Sequence, residues 1–248
     1  MFANEHWRAI PNKKGDHIMK ALRKLVIISS ALFLALPAIC TAAQRTGPYL
    51  SGFIGVSVPT DKVVTTDYYD NSVSDHDQVK FDPGVNVGGS AGYDFGLLRL
   101  EGMISYRNSE IRAITDKDNY RFRNPDGNLG VAAFLANAFF DIHNESRVTP
   151  YLGGGIGFAT LYLSDTYGTD TRGGGSFSRP LLYEEGNDTV FAYQAGAGVE
   201  IALNRRYSLD IGYRYFGTDT ATINRDSDQW SSLKFDSHNV TVGFRSTF

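Results

Sequence analysis

Eight segments of this chain alternate, residue by residue, between apolar side chains and small, polar or ionised ones, and this period of two constrains the fold more than any other feature. In Leu98–Arg107, Leu98, Leu100, Ile104 and Tyr106 share one parity, while Arg99, Glu101, Met103, Ser105 and Arg107 share the other. In Tyr207–Phe216, Leu209, Ile211, Tyr213 and Tyr215 oppose Ser208, Asp210, Gly212 and Arg214. The same reading covers Pro48–Val58, Gly84–Asp94, Val148–Tyr162, Thr189–Leu203 and Phe235–Phe248, and it is blurred only in Asn128–Asp141. All 14 tyrosines and most of the 26 glycines lie in or between these segments. The alternation predicts an all-β chain of eight strands.

The connections alternate in length. Residues 59–80, 108–127, 163–188 and 217–234 make four long links, and 94–97, 142–147 and 204–206 make three short ones. Long structureless links are uncommon in compact soluble domains. Long loops at one end and short turns at the other are the pattern of an antiparallel, up-and-down transmembrane β-barrel of the outer-membrane kind. About ten residues per strand, tilted by about 40°, cover the roughly 25 Å apolar band. Closure removes every sheet edge, and in lipid each backbone polar group must be paired internally. An even strand count puts both termini at the short-turn end, which predicts periplasmic termini and extracellular loops.

If the apolar parity faces lipid, the other fills the lumen. That set includes Arg99, Glu101, Arg107, Glu200, Asp210, Arg214 and Arg245. Buried charges must pair or be hydrated, and an eight-stranded barrel is just wide enough for side chains to fill it, so a salt-bridged plug is expected. Inward glycines at 153, 155, 157, 196 and 198 would make room for arginine and tyrosine side chains opposite. Tyr49, Tyr93, Tyr106, Tyr162, Tyr207, Tyr213 and Tyr215 are candidates for aromatic girdles at the two interfaces. A soluble lipocalin-type barrel has the same alternation with the apolar face inward; loop asymmetry and the ionised parity weigh against it.

The N-terminal segment reads as an export signal. Lys20, Arg23 and Lys24 precede LVIISSALFLALPAI and the small-residue exit at Cys40–Ala43. The apolar stretch is short for a spanning helix. The expected division is a cleavable signal peptide over 1–43 and a barrel over 44–248, with Met19–Lys20 the better start and 1–18 a mis-assigned one. Lipidation of Cys40, which follows Ile39, is the alternative. The mature part then lacks cysteine and relies on no disulfide.

Six of the 24 basic and two of the 27 acidic residues precede Gln44, so the mature part carries a net charge of −7. That argues against a nucleic-acid partner. The negative excess falls in the four long links, which suits divalent cations or basic host molecules. Asp75, His76 and Asp77 come nearest to a ligand cluster, but calcium-loop spacing is absent and a solvated loop is the simpler reading. The glycines at 153–157 miss the dinucleotide-binding register, and His238 lacks an orienting carboxylate spaced for a triad. No catalytic, cofactor-binding or metal-ligating residue is expected, and the chain is read as a non-enzyme. A narrow pore and a lipid-modifying barrel enzyme are the competing functions; conductance and altered lipid A would reveal them.

The segments GPYLSGFIGVS, FDPGVNVGGSAGYDFG, VTPYLGGGIGFATLY, FAYQAGAGVEIAL and SLDIGYRYFGTDT resemble the rickettsial and alphaproteobacterial surface-antigen family, within the opacity-protein and OmpA-type eight-stranded barrels. HNVTVGFRSTF, ending at Phe248, is similar to the C-terminal strand such barrels present to the outer-membrane assembly machinery; Ser246 departs from the usual apolar residue. The resemblance implies a Gram-negative surface antigen, adhesive or structural, sometimes a porin, with outer-membrane lipid, lipopolysaccharide, the assembly machinery and a host surface ligand as partners. It brings no catalytic or cofactor residues.

Overall fold

The computed structural model describes residues 46–68, 71–116, 118, 120–144, 146–171, 178–223 and 229–248, with the backbone alone for 62–63, 66–68, 71–76 and 229–230. The N-terminal segment read as an export signal lies outside the described residues. Eight strands close a ring: β1 (Gly47–Pro59), β4 (Gly84–Asp94), β5 (Leu98–Thr115), β7 (Asn128–Asp141), β8 (Val148–Leu163), β11 (Gly186–Ala202), β12 (Tyr207–Ile223) and β13 (Gln229–Thr247). All neighbours are antiparallel, and β13 pairs back onto β1 from Tyr49↔Thr247 to Pro59↔Ser237. Following paired residues once round the ring from Tyr49, through Gly92, Glu101, Asn137, Gly155, Gln194, Phe216 and Ser237, returns to β1 at Pro59, ten residues further on. A stagger of that size on eight strands fixes the tilt near 40°.

The apolar parity points out. Leu50, Ile54, Val56, Val87, Ile104, Phe134, Ile156, Phe158, Val242 and Phe244 stand on the exterior wall, with Ile104 66% exposed. The ionised parity points in, and Arg99 is 1% exposed. This inversion fits a bilayer solvent and excludes the lipocalin-type alternative. Tyr93, Phe140, Tyr207 and Phe248 ring the short-turn end of the wall; Tyr106 and Tyr162 stand on it towards the other end. Tyr49 departs from the expectation for a girdle residue. It shares its parity with Ser51 and Phe53, so it turns inward and is buried.

The long links are more structured than the sequence reading allowed. β5 alone runs 18 residues, roughly 45 Å along the barrel axis, which overruns the ~25 Å apolar band. The first link folds into a hairpin, β2 (Lys62–Tyr68) and β3 (Asn71–Phe81), inserted between β13 and β5 above the ends of β1 and β4. Ser57↔Gly84 and Lys62↔Val79 belong to one register, so β1–β2 and β3–β4 are two arms of a single ribbon. Pro59 and Pro83 lack the N–H a ladder needs, and pairing is interrupted between them. Just above, Lys80 and Asp61 form an ion pair at 3.2 Å. The outer sides stay tied: Thr60 N–H donates to Asp236 O at 3.0 Å and Asp82 N–H to Glu110 O at 2.9 Å.

Shorter pieces complete this collar. β6 (Arg121–Phe122) pairs with the top of β5, and β9 (Thr166–Tyr167) pairs with β10 (Leu181–Tyr183). Inside the collar Val64, Val79, Phe81, Ile111, Ile114, Phe122, Leu163, Tyr183, Ile223, Leu233 and Phe235 are buried, in a core that continues down the barrel through Leu161, Leu135 and Met103. Its exterior carries Glu110, Arg112, Thr220, Thr222 and Lys234. Above the bilayer the wall has water outside, so the apolar side chains turn inward.

Candidate functional site

Two features of the barrel can do chemistry or recognition: the lumen near the short-turn end, and the collar. The lumen is built by the inward parity of all eight strands. On β5, Arg99 and Glu101 are neighbours on that parity, and the tilt brings them against β7, β11 and β13. Arg99 pairs with Asp141 at 3.1 Å and with Glu200 at 3.4 Å, and Glu200 also pairs with Arg245. The result is a chain of alternating sign, Asp141–Arg99–Glu200–Arg245. The Arg99 guanidinium also lies 4.8 Å from the Tyr151 ring centre and 5.2 Å from that of Phe139, and Arg245 lies 4.5 Å from that of Tyr49. Such stacking supplies contact to a cation whose own bulk hydration is gone.

Glu101 is satisfied differently. It accepts from Tyr49 Oη at 2.7 Å, Ser90 Oγ at 2.9 Å and Asn137 Nδ2 at 3.3 Å. Tyr151 Oη donates to Asp210 at 3.0 Å, and Gln194 Nε2 donates to Asn137 Oδ1 at 2.7 Å. Arg214 lies beside Phe53 and the Met103 sulfur. Arg107 sits over Phe216 at 3.9 Å and donates to Ser105 Oγ at 3.0 Å and Asn239 Oδ1 at 3.3 Å. Among Arg99, Glu101, Tyr151, Asp210, Arg214 and Arg245 there remains space for about one water.

All seven ionised residues assigned to the lumen from sequence are there. The pairing partners Asp141, Tyr49 and Tyr151 carry as much of the network, and each lies on the inward parity of its strand. The glycine expectation holds at two positions. A Cβ on Gly198 would meet Tyr151 Oη at 2.4 Å, and one on Gly196 would meet Arg214 Cγ at 3.0 Å. At Gly153 and Gly155 the space is taken by Phe139 and by the Asn137 amide instead.

Of the acidic cluster considered on the first link, the side chains of Asp75 and His76 lie outside the described residues. Asp77 accepts a hydrogen bond from Tyr183 Oη at 2.7 Å, which ties the third link to the hairpin. His238 stands on the exterior wall, its Nδ1 2.7 Å from Tyr213 Oη and its ring beside Tyr215. Elsewhere on the collar Arg179 pairs with Asp126 at 2.5 Å, and Glu185 N–H donates to Asp165 Oδ1 at 2.8 Å.

A closed eight-stranded ring with lipid-facing apolar walls and a charged lumen defines an integral membrane β-barrel of the bacterial outer membrane. The chain belongs to the outer membrane protein beta-barrel domain family, whose match spans residues 28–245. It is similar to the outer membrane protein PagN of Salmonella typhimurium, 29% identical over 202 residues, covering 75% of this chain and 80% of that protein. It is also similar to the opacity protein opA65 of Neisseria gonorrhoeae, 26% identical over 190 residues, covering 64% and 76%. The solved outer membrane protein OprG from Pseudomonas aeruginosa shares the fold at 15% identity with a TM-score of 0.57, covering 83% of this chain and 98% of that one.

Proposed function

We propose that this barrel is a display platform at the cell surface. The collar and the link tips face the medium, the three short turns and both termini face the periplasm, and recognition of a host surface ligand is carried by the collar. The observation that carries this reading is the apolar packing that fills the collar. A segment that served only to connect strands would not need Phe81, Ile111, Leu163, Ile223 and Phe235 packed together. Ordering that surface in advance lowers the entropic cost of holding a partner. The net negative charge of the long links favours a basic partner or one bridged by divalent cations.

The lumen contributes stiffness rather than passage or catalysis in this reading. Its carboxylates are committed to Arg99, Arg245 and tyrosines, Arg107 and Arg214 are held against Phe216 and Phe53, and the space between these groups holds about one water. The export segment over 1–43 delivers the chain to the periplasm. The C-terminal strand ending at Phe248 engages the assembly machinery, and lipopolysaccharide packs against the wall on the collar side.

Single cysteines at Glu185 and at Arg205, in a chain otherwise free of cysteine after signal removal, test the orientation. An impermeant maleimide on intact cells is expected to label the first and spare the second. Planar-bilayer current is expected to match a protein-free control. Labelling of Arg205→Cys instead would reverse the barrel, and stepwise conductance would restore the pore.

A further inference from the structure

The short-turn rim of the barrel is divided into two sectors. Below β4, β5 and β7 it exposes Phe95, Leu97 and Ile142. Below β8, β11 and β12 it exposes Arg147, Arg205 and Arg206. Backbone bonds hold these three arginines on adjoining stretches of rim: Ala202 N–H donates to Arg147 O and Thr247 N–H to Arg206 O, both at 2.8 Å. Asn204 Oδ1 accepts from the N–H groups of Arg206 at 2.9 Å and Tyr207 at 3.0 Å, which fixes the turn that presents Arg205 and Arg206.

None of the three forms an ion pair with a described residue. The acids nearest in the ladder are Asp141, Glu200 and Asp210; Asp141 and Asp210 are buried, and Glu200 is paired with Arg99 and Arg245 inside the lumen. Also at the short-turn end are His143 and the carboxylate of Phe248; Glu145 lies outside the described residues. Among the described residues, then, the sector keeps its positive charge free for a partner. It also borders the apolar belt directly. Leu203 and Tyr207 are exposed beside the arginines, and Tyr207 stacks on Phe244 at 5.3 Å. An arginine one residue from an interfacial tyrosine places its guanidinium at headgroup depth, where a long side chain reaches the phosphate plane.

We infer that Arg147, Arg205 and Arg206 form a binding sector for the phosphodiester headgroups of anionic phospholipids, phosphatidylglycerol being the simplest, in the leaflet that meets the short turns. A guanidinium matches two phosphate oxygens at once, which zwitterionic lipids offer only with their own ammonium competing. Assigning that leaflet to the periplasmic side rests on the orientation proposed above. The lipid preference itself does not, since vesicles carry phosphatidylglycerol in both leaflets.

The test uses the refolded barrel in phosphatidylcholine vesicles containing spin-labelled phosphatidylglycerol or spin-labelled phosphatidylcholine, and compares the motionally restricted fractions. The wild type is expected to prefer phosphatidylglycerol, by up to about five-fold per engaged arginine at low salt. R147Q/R205Q/R206Q is expected to lose the preference, and R121Q/R123Q in the collar to retain it. Raising salt on the wild type is expected to erase the preference without any substitution, which covers the case of a variant that fails to fold. Equal restriction of both lipids by the wild type, or an undiminished preference in the triple variant, overturns the inference. Failure of the labelling experiment at Arg205→Cys would change the leaflet and leave this result standing.

Discussion

The membrane zone and the collar share the same eight-stranded wall with opposite polarity. In the membrane zone Ile104, Phe134 and Val242 face out while Arg99, Glu101 and Arg245 face in. In the collar Arg112 and Lys234 face out while Ile111, Leu233 and Phe235 face in. β5 passes through both, from Arg99 inside to Ile111 inside, with its period of two intact. Where no bulge intervenes parity persists along a strand, and the solvent outside decides which residue type each parity carries; on β12 a register shift between Gly217 and Thr220 exchanges the faces, so that Arg214 and Ile223 both point in. The change is not level round the ring. On β7 the inward residues are already apolar from Leu135 upward, whereas β5, Met103 apart, stays polar inside as far as Ser109.

The largest expected effect breaks the membrane zone. Arg99→Leu leaves Asp141 and Glu200 without their shared cation, and should cost about 3–5 kcal/mol, read as a lower urea midpoint in detergent. Removing a collar core residue should match it in size but not in reach. Phe235→Ala should cost about 3–5 kcal/mol by truncation. Hydrogen exchange should accelerate in the collar amides while the membrane strands stay protected; loss of protection throughout would make the two regions one cooperative unit. Ile104→Arg, in mid-wall, should cost about 2–4 kcal/mol in vesicles, and an unaffected barrel would place that position out of the lipid. Smallest of all, Lys80→Ala removes an exposed ion pair with Asp61 and should shift the midpoint by less than about 1 kcal/mol.

The membrane zone was legible because its two parities differ in chemistry. Arg99, Glu101, Asp210, Arg214 and Arg245 stand out against Leu, Ile and Val, and each was found inside. β7 was blurred for a physical reason: Leu129, Val131, Ala133 and Leu135 face inward while Phe134 and Ala136 face lipid, so both parities are apolar. The collar was hidden for another. Ser109, Ile111 and Ala113 on β5 continue the inward parity, as Leu233 and Phe235 do on β13, but the apolar residues have changed sides. Read as a break in the pattern, that change marks the end of a strand; read as a change of solvent, it marks a strand leaving the bilayer. The pairing of Tyr49 with Glu101, and of Tyr151 with Asp210, depends on the ten-residue stagger, which no local pattern encodes.

The unbroken count across Pro59 and Pro83 sets a rule for how this surface can diversify. Because Lys62↔Val79 continues the rungs of Ser57↔Gly84, a single inserted residue in one arm would exchange the faces of everything beyond it, turning Val64 or Val79 towards water. Two residues in each arm would add two rungs and preserve both the pairing and the faces. Length changes in this hairpin should therefore come in even steps, so that it can vary in height and sequence while remaining bound to the same arithmetic as the wall beneath it.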